Sequence, residues 1–429
     1  MAKHKKFSFT KPNLKKIIHL KSDKSQENDV ADTSINSFNT IEVLIIIIVS
    51  ITFGIVVGVS LSFFRDEYRG EKVSNSLQEL ITVYQNILNS YYKNIDEKDL
   101  ADAAIDGMMS SLDDPYSTYM DEENTETFNE TVDGSYVGIG ITITVDKNGD
   151  FSILDVANDS PAEKAKIKKG DVIIDIDGKE LDGVSLDEVT TMVKGKEGSK
   201  LSLTILRDGK KIKKTVSRGS IDLVSVNSQV YALNNGNAGY ISISSFAANT
   251  YKQFKKELKK VEDKNIMSLI IDVRSNPGGH LSQTKKILEL FIKKNKVLYQ
   301  VEFKGNKTKI KDQTKTFRSY PVVILVNSSS ASASEILAAA FKDSYTNVTI
   351  LGETTYGKGT VQTAYSLSDG SSLKYTTERW LTPKGKWIDG KGVTPDKEVL
   401  LTDEYLENPI AENDLQLQSA LDILKKDAS

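Results

Sequence analysis

The chain of 429 residues contains no cysteine and only three histidines. The absence of cysteine excludes thiol catalysis, cysteine-ligated zinc and disulfide bonds. Two of the histidines, His4 and His19, come before a long apolar run, so His280 is the one imidazole in the larger part of the chain. The other side chains that could act as a general base are those of Lys, Asp and Glu.

The chain also lacks an excess of either charge. Its formal net charge is −3, and it is 39% hydrophobic and 27% charged. This composition is typical of a globular protein, and the length is sufficient for two or three domains. The charge therefore gives no reason to predict a nucleic-acid partner.

Long apolar runs are scarce, and the one that stands out is Val43–Phe64, which carries no charged residue. A run of this length can cross a bilayer as a helix. Residues 1–42 contain eight lysines and five acidic residues, and the positive-inside rule places such a tail in the cytoplasm. We predict a single-pass transmembrane helix at residues 43–64 in the cell membrane, with the C-terminal bulk of the chain outside the cell.

A cleaved signal peptide and a buried core helix are the alternatives for this apolar run. The run is too long and begins too far from the N-terminus for a signal peptide, and no small-x-small cleavage site follows it. An apolar helix behind a polar, lysine-rich tail is rarely a core helix. The membrane anchor is therefore the interpretation that we retain.

Apolar residues at helical spacing predict an N-terminal helical region at residues 65–128. One apolar face runs from Leu77 to Tyr91, and a second helix is predicted over Leu100–Leu112. These helices could pack on the core or on a second copy of the chain, which leaves a homodimer open. At the other end, residues 403–429 predict a short C-terminal helix.

Residues 129–217 predict a β-rich unit, because short apolar strands alternate there with turns. Its first strand begins with Gly138-Ile139-Gly140-Ile141. Free backbone N–H groups beside a strand edge can bind a peptide carboxylate and add the peptide as a further strand. The alternative is a small structural β-domain with a glycine turn, and this tetrapeptide alone does not decide between them.

Residues 218–402 alternate strands and helices, which predicts an α/β layered fold. The apolar strand Val322–Val326 stops at Asn327 and enters a turn rich in serine, after which a helical pattern begins. After the strand Leu269–Val273, the turn Pro277-Gly278-Gly279-His280 exposes backbone N–H groups of the kind that stabilise an oxyanion. The alternative for this second turn is a plain loop without a catalytic role.

Lys358 is the candidate base for a serine in the serine-rich turn that follows Val322–Val326. Burial in an apolar pocket lowers the pKa of a lysine and leaves the amine neutral, as a base requires. Gly357 and Gly359 flank the lysine and allow close backbone approach, while Tyr356 and Val361 could shield the amine from water. A Ser/Lys pair is a known arrangement of nucleophile and base. The alternative is an ordinary solvated lysine.

Six features in this order resemble the motifs of the carboxyl-terminal processing proteases, also called tail-specific proteases. The resemblance runs from about residue 71 to about residue 400, and its order and spacing make it specific although each motif alone is weak. The features are Ser111–Ser117, the β-rich unit with Gly138–Ile141, Asp272–Gly279, Ser330–Glu335, Tyr356–Gln362, and the pair Trp380–Gly385 and Gly392–Asp396.

The resemblance implies an α/β fold with a crotonase-like protease core at residues 218–402 and an inserted PDZ domain at residues 129–217. It implies a membrane-anchored serine endopeptidase with a Ser/Lys dyad and without a cofactor or metal. Its partner is then a protein or peptide substrate with an accessible, apolar C-terminal tail, which the PDZ domain binds through Gly138, Ile139, Gly140 and Ile141.

The resemblance also assigns the catalytic residues by position. It makes Ser332, the middle serine of the motif, the nucleophile and Lys358 the general base. Gln362 would orient the amine of Lys358. The N–H of Ala333 and that of Gly278 would hold the oxyanion, with Gly279 as a further candidate beside Gly278.

Four residues need separate comment. Asp343 lies where some members of the family have an acid that affects activity, and we rank it below Gln362. Ser328 and Ser329 replace glycines that are common before the serine motif. His280 replaces an aliphatic residue, and it could contact substrate or compete as a base.

The rival functions are a PDZ scaffold with an inactive protease core, and a Ser/His hydrolase that uses His280.

Overall fold

The structure is a computed structural model that describes residues 74–234 and 236–426. Contacts divide it into two units at Asn94 and Ile95. In the first unit, helix α1 (Asn75–Ser90) begins at Ser74, whose hydroxyl accepts a hydrogen bond from the N–H of Leu77. The predicted span Val43–Phe64 lies outside the described residues, and no helix within them is long and apolar enough to cross a membrane.

The second unit contains all further helices and strands. In chain order they are α2 (Glu97–Ser110), β1 (Thr118–Met120), α3 (Glu122–Asp133), β2 (Ser135–Gly138), β3 (Ile141–Val145), β4 (Phe151–Val156), α4 (Pro161–Lys164), β5 (Val172–Ile176), β6 (Lys179–Glu180), α5 (Leu186–Val193), β7 (Lys200–Arg207), β8 (Lys210–Ser217), β9 (Gly219–Asp222), β10 (Val226–Leu233), β11 (Gly236–Ile243), α6 (Thr250–Glu262), β12 (Ile266–Asp272), α7 (Leu281–Leu288), β13 (Val297–Phe303), β14 (Asn306–Lys311), β15 (Val322–Val326), α8 (Ala333–Ser344), β16 (Val348–Gly352), β17 (Thr360–Ser366), β18 (Ser372–Leu381), β19 (Lys397–Glu398), α9 (Asp403–Glu407) and α10 (Leu415–Lys426).

A six-stranded sheet in the order β10-β11-β12-β15-β16-β19 forms the centre of the protease part. Only the β10–β11 pair is antiparallel, and the other neighbours are parallel. Every residue of β15 is buried, as expected for a parallel strand that is covered on both faces. The carboxyl ends of β12 and β15 are adjacent, so the loops that follow them meet at one edge of the sheet.

Helices cover both faces of this sheet. On one face, Val322, Ile324 and Val326 pack in a core with α6, α7 and α8. On the opposite face, Val323 and Leu325 pack against the apolar side of α10. The alternation of strand side chains therefore feeds two separate cores, which gives three layers.

A second sheet lies beside these layers. It carries the end of residues 353–359, which contain Lys358 and are called the lysine loop. It is antiparallel in the order β1-β18-β13-β14, with β17 also paired to β18. Strand β1 joins it from the N-terminal side, with Thr118 opposite Lys374 and Met120 opposite Ser372. Because β17 begins at Thr360, directly after Lys358 and Gly359, the hairpin β17–β18 fixes the end of the lysine loop.

The β-rich unit is a separate sheet in the order β3-β4-β5-β7-β8, with β6 paired to β5. It has its own core, in which Ile139 and Leu203 are fully buried. Helix α5 is held by a capping box between Ser185 and Glu188. Strand β3 is an edge strand, because β4 is its one hydrogen-bonded neighbour among the described residues.

The start of the β-rich unit differs from the expectation that Gly138-Ile139-Gly140-Ile141 begins one strand. Gly140 adopts φ 79° and separates β2 from β3.

Candidate active site

Ser332 lies in the turn that joins the buried strand β15 to helix α8. Its backbone has φ 53° and ψ −111°, a conformation that costs a residue with a side chain about 1–3 kcal/mol. The N–H of Ala331 donates to the carbonyl of Asn276 at 3.0 Å, and the N–H of Ile336 donates to the carbonyl of Ser332 at 2.9 Å. These bonds hold a sharp strand-to-helix turn, the geometry that presents a nucleophilic hydroxyl at its tip.

The two serines that flank Ser332 have structural roles. The hydroxyl of Ser330 donates to the carbonyl of Val273 at 2.8 Å, and that of Ser334 donates to the carbonyl of Asn276 at 2.9 Å. Both serines are fully buried, whereas Ser332 is half-buried. The outer serines of the serine turn therefore bind residues 273–279, which are called the oxyanion turn, and the middle serine is left accessible.

Glu335 connects the serine turn to the lysine loop. One carboxylate oxygen, Oε2, accepts hydrogen bonds from the backbone N–H groups of Ser332 and Lys358, each at 2.8 Å. The other oxygen, Oε1, accepts from the N–H of Gly357 at 2.7 Å and from the hydroxyl of Thr355 at 2.6 Å. The nitrogens of Ser332 and Lys358 are therefore no further apart than twice 2.8 Å.

Glu335 is fully buried, and this burial raises the pKa of its carboxyl group although the four hydrogen bonds act in the opposite direction. Three of the four donors are backbone N–H groups, which cannot accept a proton in return. We therefore assign the ionised form to the carboxylate in this arrangement.

Lys358 has the environment that a base lysine needs. Burial lowers the pKa of its amine, and the nearby charge of Lys374 lowers it further, while Asp114 and Glu335 raise it. The Nζ atom lies 4.3 Å from the centroid of the Tyr116 ring. The Nζ atom forms no hydrogen bond or ion pair with another described residue.

Gln362 lies close to the lysine along the chain, in strand β17, and its amide is engaged with threonines. Its Nε2 donates to the hydroxyl of Thr360 at 2.9 Å and to that of Thr376 at 3.0 Å. The structure thus places Gln362 in a polar network on the hairpin that follows the lysine loop. Its role in orienting the amine stays a prediction.

The oxyanion turn lies against the serine turn. A Cβ atom built on Gly278 would be 2.9 Å from the Cβ of Ser332 and 3.0 Å from the nitrogen of Ala333, so only glycine fits there. The N–H of Gly278 donates to Oδ1 of Asn276 at 2.8 Å. In this conformation the predicted donor is engaged, whereas the N–H groups of Gly279 and Ala333 donate to no described residue.

Asn276 holds these two turns together. It is fully buried, and its Nδ2 donates to the carbonyl of Ile243 at 2.8 Å. Its own carbonyl accepts from the N–H of Ala331 and from the hydroxyl of Ser334. The oxyanion turn is thus anchored on one side to strand β11 and on the other to the serine turn.

The predicted carboxylate loop lies at the start of the edge strand β3. Gly138, Ile139 and Gly140 are buried, and the N–H groups of Ile139 and Gly140 donate to no described residue. Gly140 has φ 79°, and a Cβ atom there would approach the Cβ of Ser160 to 2.5 Å. Ile141 opens strand β3 beside these two N–H groups, and their role in binding a carboxylate stays a prediction.

His280 and Asp343 occupy different surroundings. His280 begins helix α7, its N–H donates to the carbonyl of Phe246 at 2.6 Å, and its Nε2 is buried without a partner among the described residues. Asp343 pairs with Lys384, whose Nζ is 3.1 Å from its carboxylate. No group of acidic or histidine side chains suited to a metal ion is found within residues 74–234 and 236–426.

Three parts of the chain match known protein families. A model of Peptidase family S41 matches residues 237–399 and a PDZ domain model matches residues 137–217. A model of the N-terminal domain of the activating protease CtpB matches residues 61–124. The matches define a serine-type peptidase with a PDZ domain.

Named relatives give a closer assignment. Carboxy-terminal processing protease CtpA of Bacillus subtilis (strain 168) is 40% identical over 347 residues, which cover 80% of this chain and 73% of that protein. CtpB of the same organism is 37% identical over 338 residues, which cover 78% and 70%. The solved photosystem II D1 C-terminal processing protease is 26% identical, with a TM-score of 0.46 and coverage of 81% and 91%. The two Bacillus subtilis relatives show that the chain belongs to the carboxy-terminal processing proteases.

The family and the enzyme class predicted from the sequence are thus confirmed, together with the α/β content and the PDZ domain. The roles of Ser332, Lys358, Gln362, Gly278 and Ala333 stay predictions. Glu335 ends the serine motif Ser330–Glu335, but the sequence pattern assigned no role to it. Its position three residues after Ser332, at the start of a helix, is the capping-box spacing that could have drawn attention to it.

Proposed function

We propose that Ser332 and Lys358 form the catalytic dyad of an endopeptidase that acts on protein C-termini. The observation that carries this proposal is the pair of hydrogen bonds that the backbone N–H groups of Ser332 and Lys358 donate to Glu335 Oε2. One buried carboxylate brings together two residues that are 26 positions apart and belong to different loops. A turn and a loop that had no joint task would not need this buried charge.

The chemistry follows from the residue types. The neutral amine of Lys358 takes the proton of the Ser332 hydroxyl, and the oxygen attacks the carbonyl carbon of the scissile bond. The N–H of Ala333 and a second N–H from the Gly278-Gly279 turn stabilise the oxyanion. The ammonium then gives its proton to the leaving amine as the C–N bond breaks. Water, deprotonated by the same lysine, then attacks the acyl carbon, and the lysine returns the proton to the Ser332 oxygen as the ester C–O bond breaks.

We infer that the PDZ domain selects the substrate through its free C-terminus. The unpaired N–H groups of Ile139 and Gly140 would hold the terminal carboxylate, and the open edge of β3 would pair with the peptide backbone. Ile141 and Ile143 on this strand are partly buried beside the domain core. They support a preference for apolar terminal residues.

The membrane anchor at Val43–Phe64 and the placement of the enzyme outside the cell are part of this proposal. They rest on the apolar run and on the lysines before it. A homodimer is also part of this proposal, and it rests on the apolar residues of helix α1, among them Leu80, Ile81 and Val83. Analytical ultracentrifugation of the wild type and of Leu80→Glu tests the dimer, which predicts a lower mass for the variant.

Turnover of an unstructured protein substrate tests the dyad. Ser332→Ala and Lys358→Ala should each lower kcat by several orders of magnitude, with unchanged thermal unfolding. Lys391→Ala, at an exposed lysine in a nearby loop, is the matched control. Near wild-type turnover by Lys358→Ala would sink the proposal. If His280→Ala alone abolished turnover, the Ser/His rival would replace it.

Two further measurements test the substrate and the location. Amidation of the substrate's C-terminus should weaken its binding to Ser332→Ala, since it removes the charge that the PDZ loop would hold. Protease added to wall-stripped cells should digest epitopes beyond residue 70 and spare an epitope near residue 10. Equal affinity for the free acid and the amide contradicts the first idea, and digestion of both epitopes contradicts the second.

A further inference from the structure

A loop from the N-terminal side of the PDZ domain lies on the lysine. It connects α2 to β1 and contains Asp114, Tyr116 and Ser117. The carboxylate of Asp114 accepts hydrogen bonds from the N–H of Tyr116 at 3.1 Å and from the hydroxyl of Ser117 at 2.5 Å. The oxygen of Ser117 in turn accepts from the N–H of Thr376 at 3.1 Å. The loop is therefore fixed to strand β18.

Within this fixed loop, the ring of Tyr116 covers the end of Lys358. The distance from Nζ to the ring centroid is 4.3 Å, well inside the range in which a ring face attracts a cation. The Tyr116 hydroxyl interacts with Tyr356, and burial raises the pKa of Tyr116 to about 12. At neutral pH the side chain is therefore a neutral ring, neither an anion that pairs with the lysine nor a rival base.

We propose that Tyr116 is a positioning residue for Lys358. The face of the Tyr116 ring holds the amine of Lys358 in place and keeps water away from it. This inference rests on the proposed role of Lys358 as the base. The ring comes from a part of the chain that precedes the residues matched by the peptidase family model, so the base would be completed by a segment outside that match.

The ring acts on the amine in two opposing ways. Its face attracts the charged ammonium, which favours protonation. Its bulk excludes water, which favours the neutral amine. The charged groups around the amine are Lys374 on β18, Asp114 on the loop and Glu335 on α8, and burial exceeds each of them in its influence on the pKa. Because burial is the largest influence on this pKa and the ring 4.3 Å from Nζ contributes to that burial, we expect loss of the ring to raise the pKa of Lys358.

The pKa of Lys358 can be measured by chemical labelling of the lysine in full-length protein that carries Ser332→Ala and therefore has no turnover. The rate at which an amine-reactive reagent modifies Lys358 is followed by mass spectrometry as a function of pH. Tyr116→Ala should move the midpoint of labelling to higher pH, because water reaches the amine. Tyr116→Phe should leave the midpoint in place, because it keeps the ring. Tyr365→Ala removes a tyrosine that is 61% exposed and is the matched control.

In protein with Ser332 intact, Tyr116→Ala should lower kcat by about 10²-fold, the loss expected for a misplacement of about 1 Å. KM should change little, and Tyr116→Phe should keep most of the activity. The rise of kcat/KM with pH should move in the same direction as the labelling midpoint.

An unchanged labelling midpoint in Tyr116→Ala would overturn the inference, and so would an equal loss of kcat in Tyr116→Phe. These results are distinct from failure of the dyad itself. The dyad fails if Lys358→Ala retains turnover, whereas the labelling experiment reports on Tyr116 in protein that has no turnover.

Discussion

Replacement of Glu335 by Gln tests whether one buried carboxylate joins the two halves of the site. Each oxygen accepts two hydrogen bonds. The amide of Gln has one acceptor oxygen and one donor NH₂ group, so two of the four donors must face another donor. The favoured orientation turns the oxygen towards Ser332 and Lys358. The hydroxyl of Thr355 can then rotate to accept, and only the N–H of Gly357 is left without an acceptor.

The magnitude follows from these bonds. A buried N–H without a partner costs about 1–3 kcal/mol. The two bonds that remain become weaker because they lose the charge, by about 1 kcal/mol each. Burial of a neutral amide costs less than burial of the charge, which offsets this second loss. We expect Glu335→Gln to lower the free energy of unfolding by about 1–3 kcal/mol, and Glu335→Ala to lower it further because all four donors lose their acceptor.

Activity should fall more than stability. A shift of about 1 Å between Ser332 and Lys358 costs about 10²-fold in kcat, while KM should change little if the PDZ domain provides most of the substrate binding. Urea unfolding and steady-state turnover of Glu335→Gln measure both effects. Glu353→Gln is the control, since this half-buried carboxylate accepts no hydrogen bond from a described residue. Wild-type kcat and wild-type stability in Glu335→Gln would refute the reasoning.

Three further predictions concern other parts of the chain. Because burial lowers the pKa of Lys358, kcat/KM should rise with pH and reach its midpoint below the ordinary lysine value of about 10.4; a midpoint at or above that value contradicts this. Gly140→Ala should weaken binding of a free C-terminal peptide in titration calorimetry, because its Cβ would meet Ser160 at 2.5 Å; unchanged affinity contradicts this. Asp414→Asn should lower the free energy of unfolding by about 1–3 kcal/mol in urea, since the bonds from Arg274 to Asp414 lose their charge while the pair with Asp272 stays; a loss under about 0.5 kcal/mol would show that Asp272 suffices.

The elements found correctly from the sequence are those whose signal is local. The apolar run Val322–Val326 and the helix that follows Ser332 are visible as a strand and a helix within twenty residues. Helix α3 was missed within a region expected to be helical, because its sequence carries few apolar residues. The hairpin β17–β18 was also missed, since its strands are polar and their pairing depends on the neighbouring β1 and β13.

Long-range contacts explain what the sequence could not provide at the site. Tyr116 and Lys358 are separated by 242 positions, and the pairing of β1 with β18 and the bond between Thr376 and Ser117 bring their segments together. The engagement of the Gly278 N–H by Asn276 is different, since it involves a residue only two positions away. Motif matching assigned the donor role to the N–H by position, and such matching carries no information on where that N–H points.

Four segments build this site, and hydrogen bonds of polar side chains hold them together. Glu335 binds the lysine loop to the serine turn, Asn276 binds the serine turn to the oxyanion turn, and Ser117 binds the N-terminal loop to β18. A buried polar group is stable only when its partners are in place. The strained turn at Ser332 and the lowered pKa of Lys358 therefore both depend on contacts between separate segments of the folded chain.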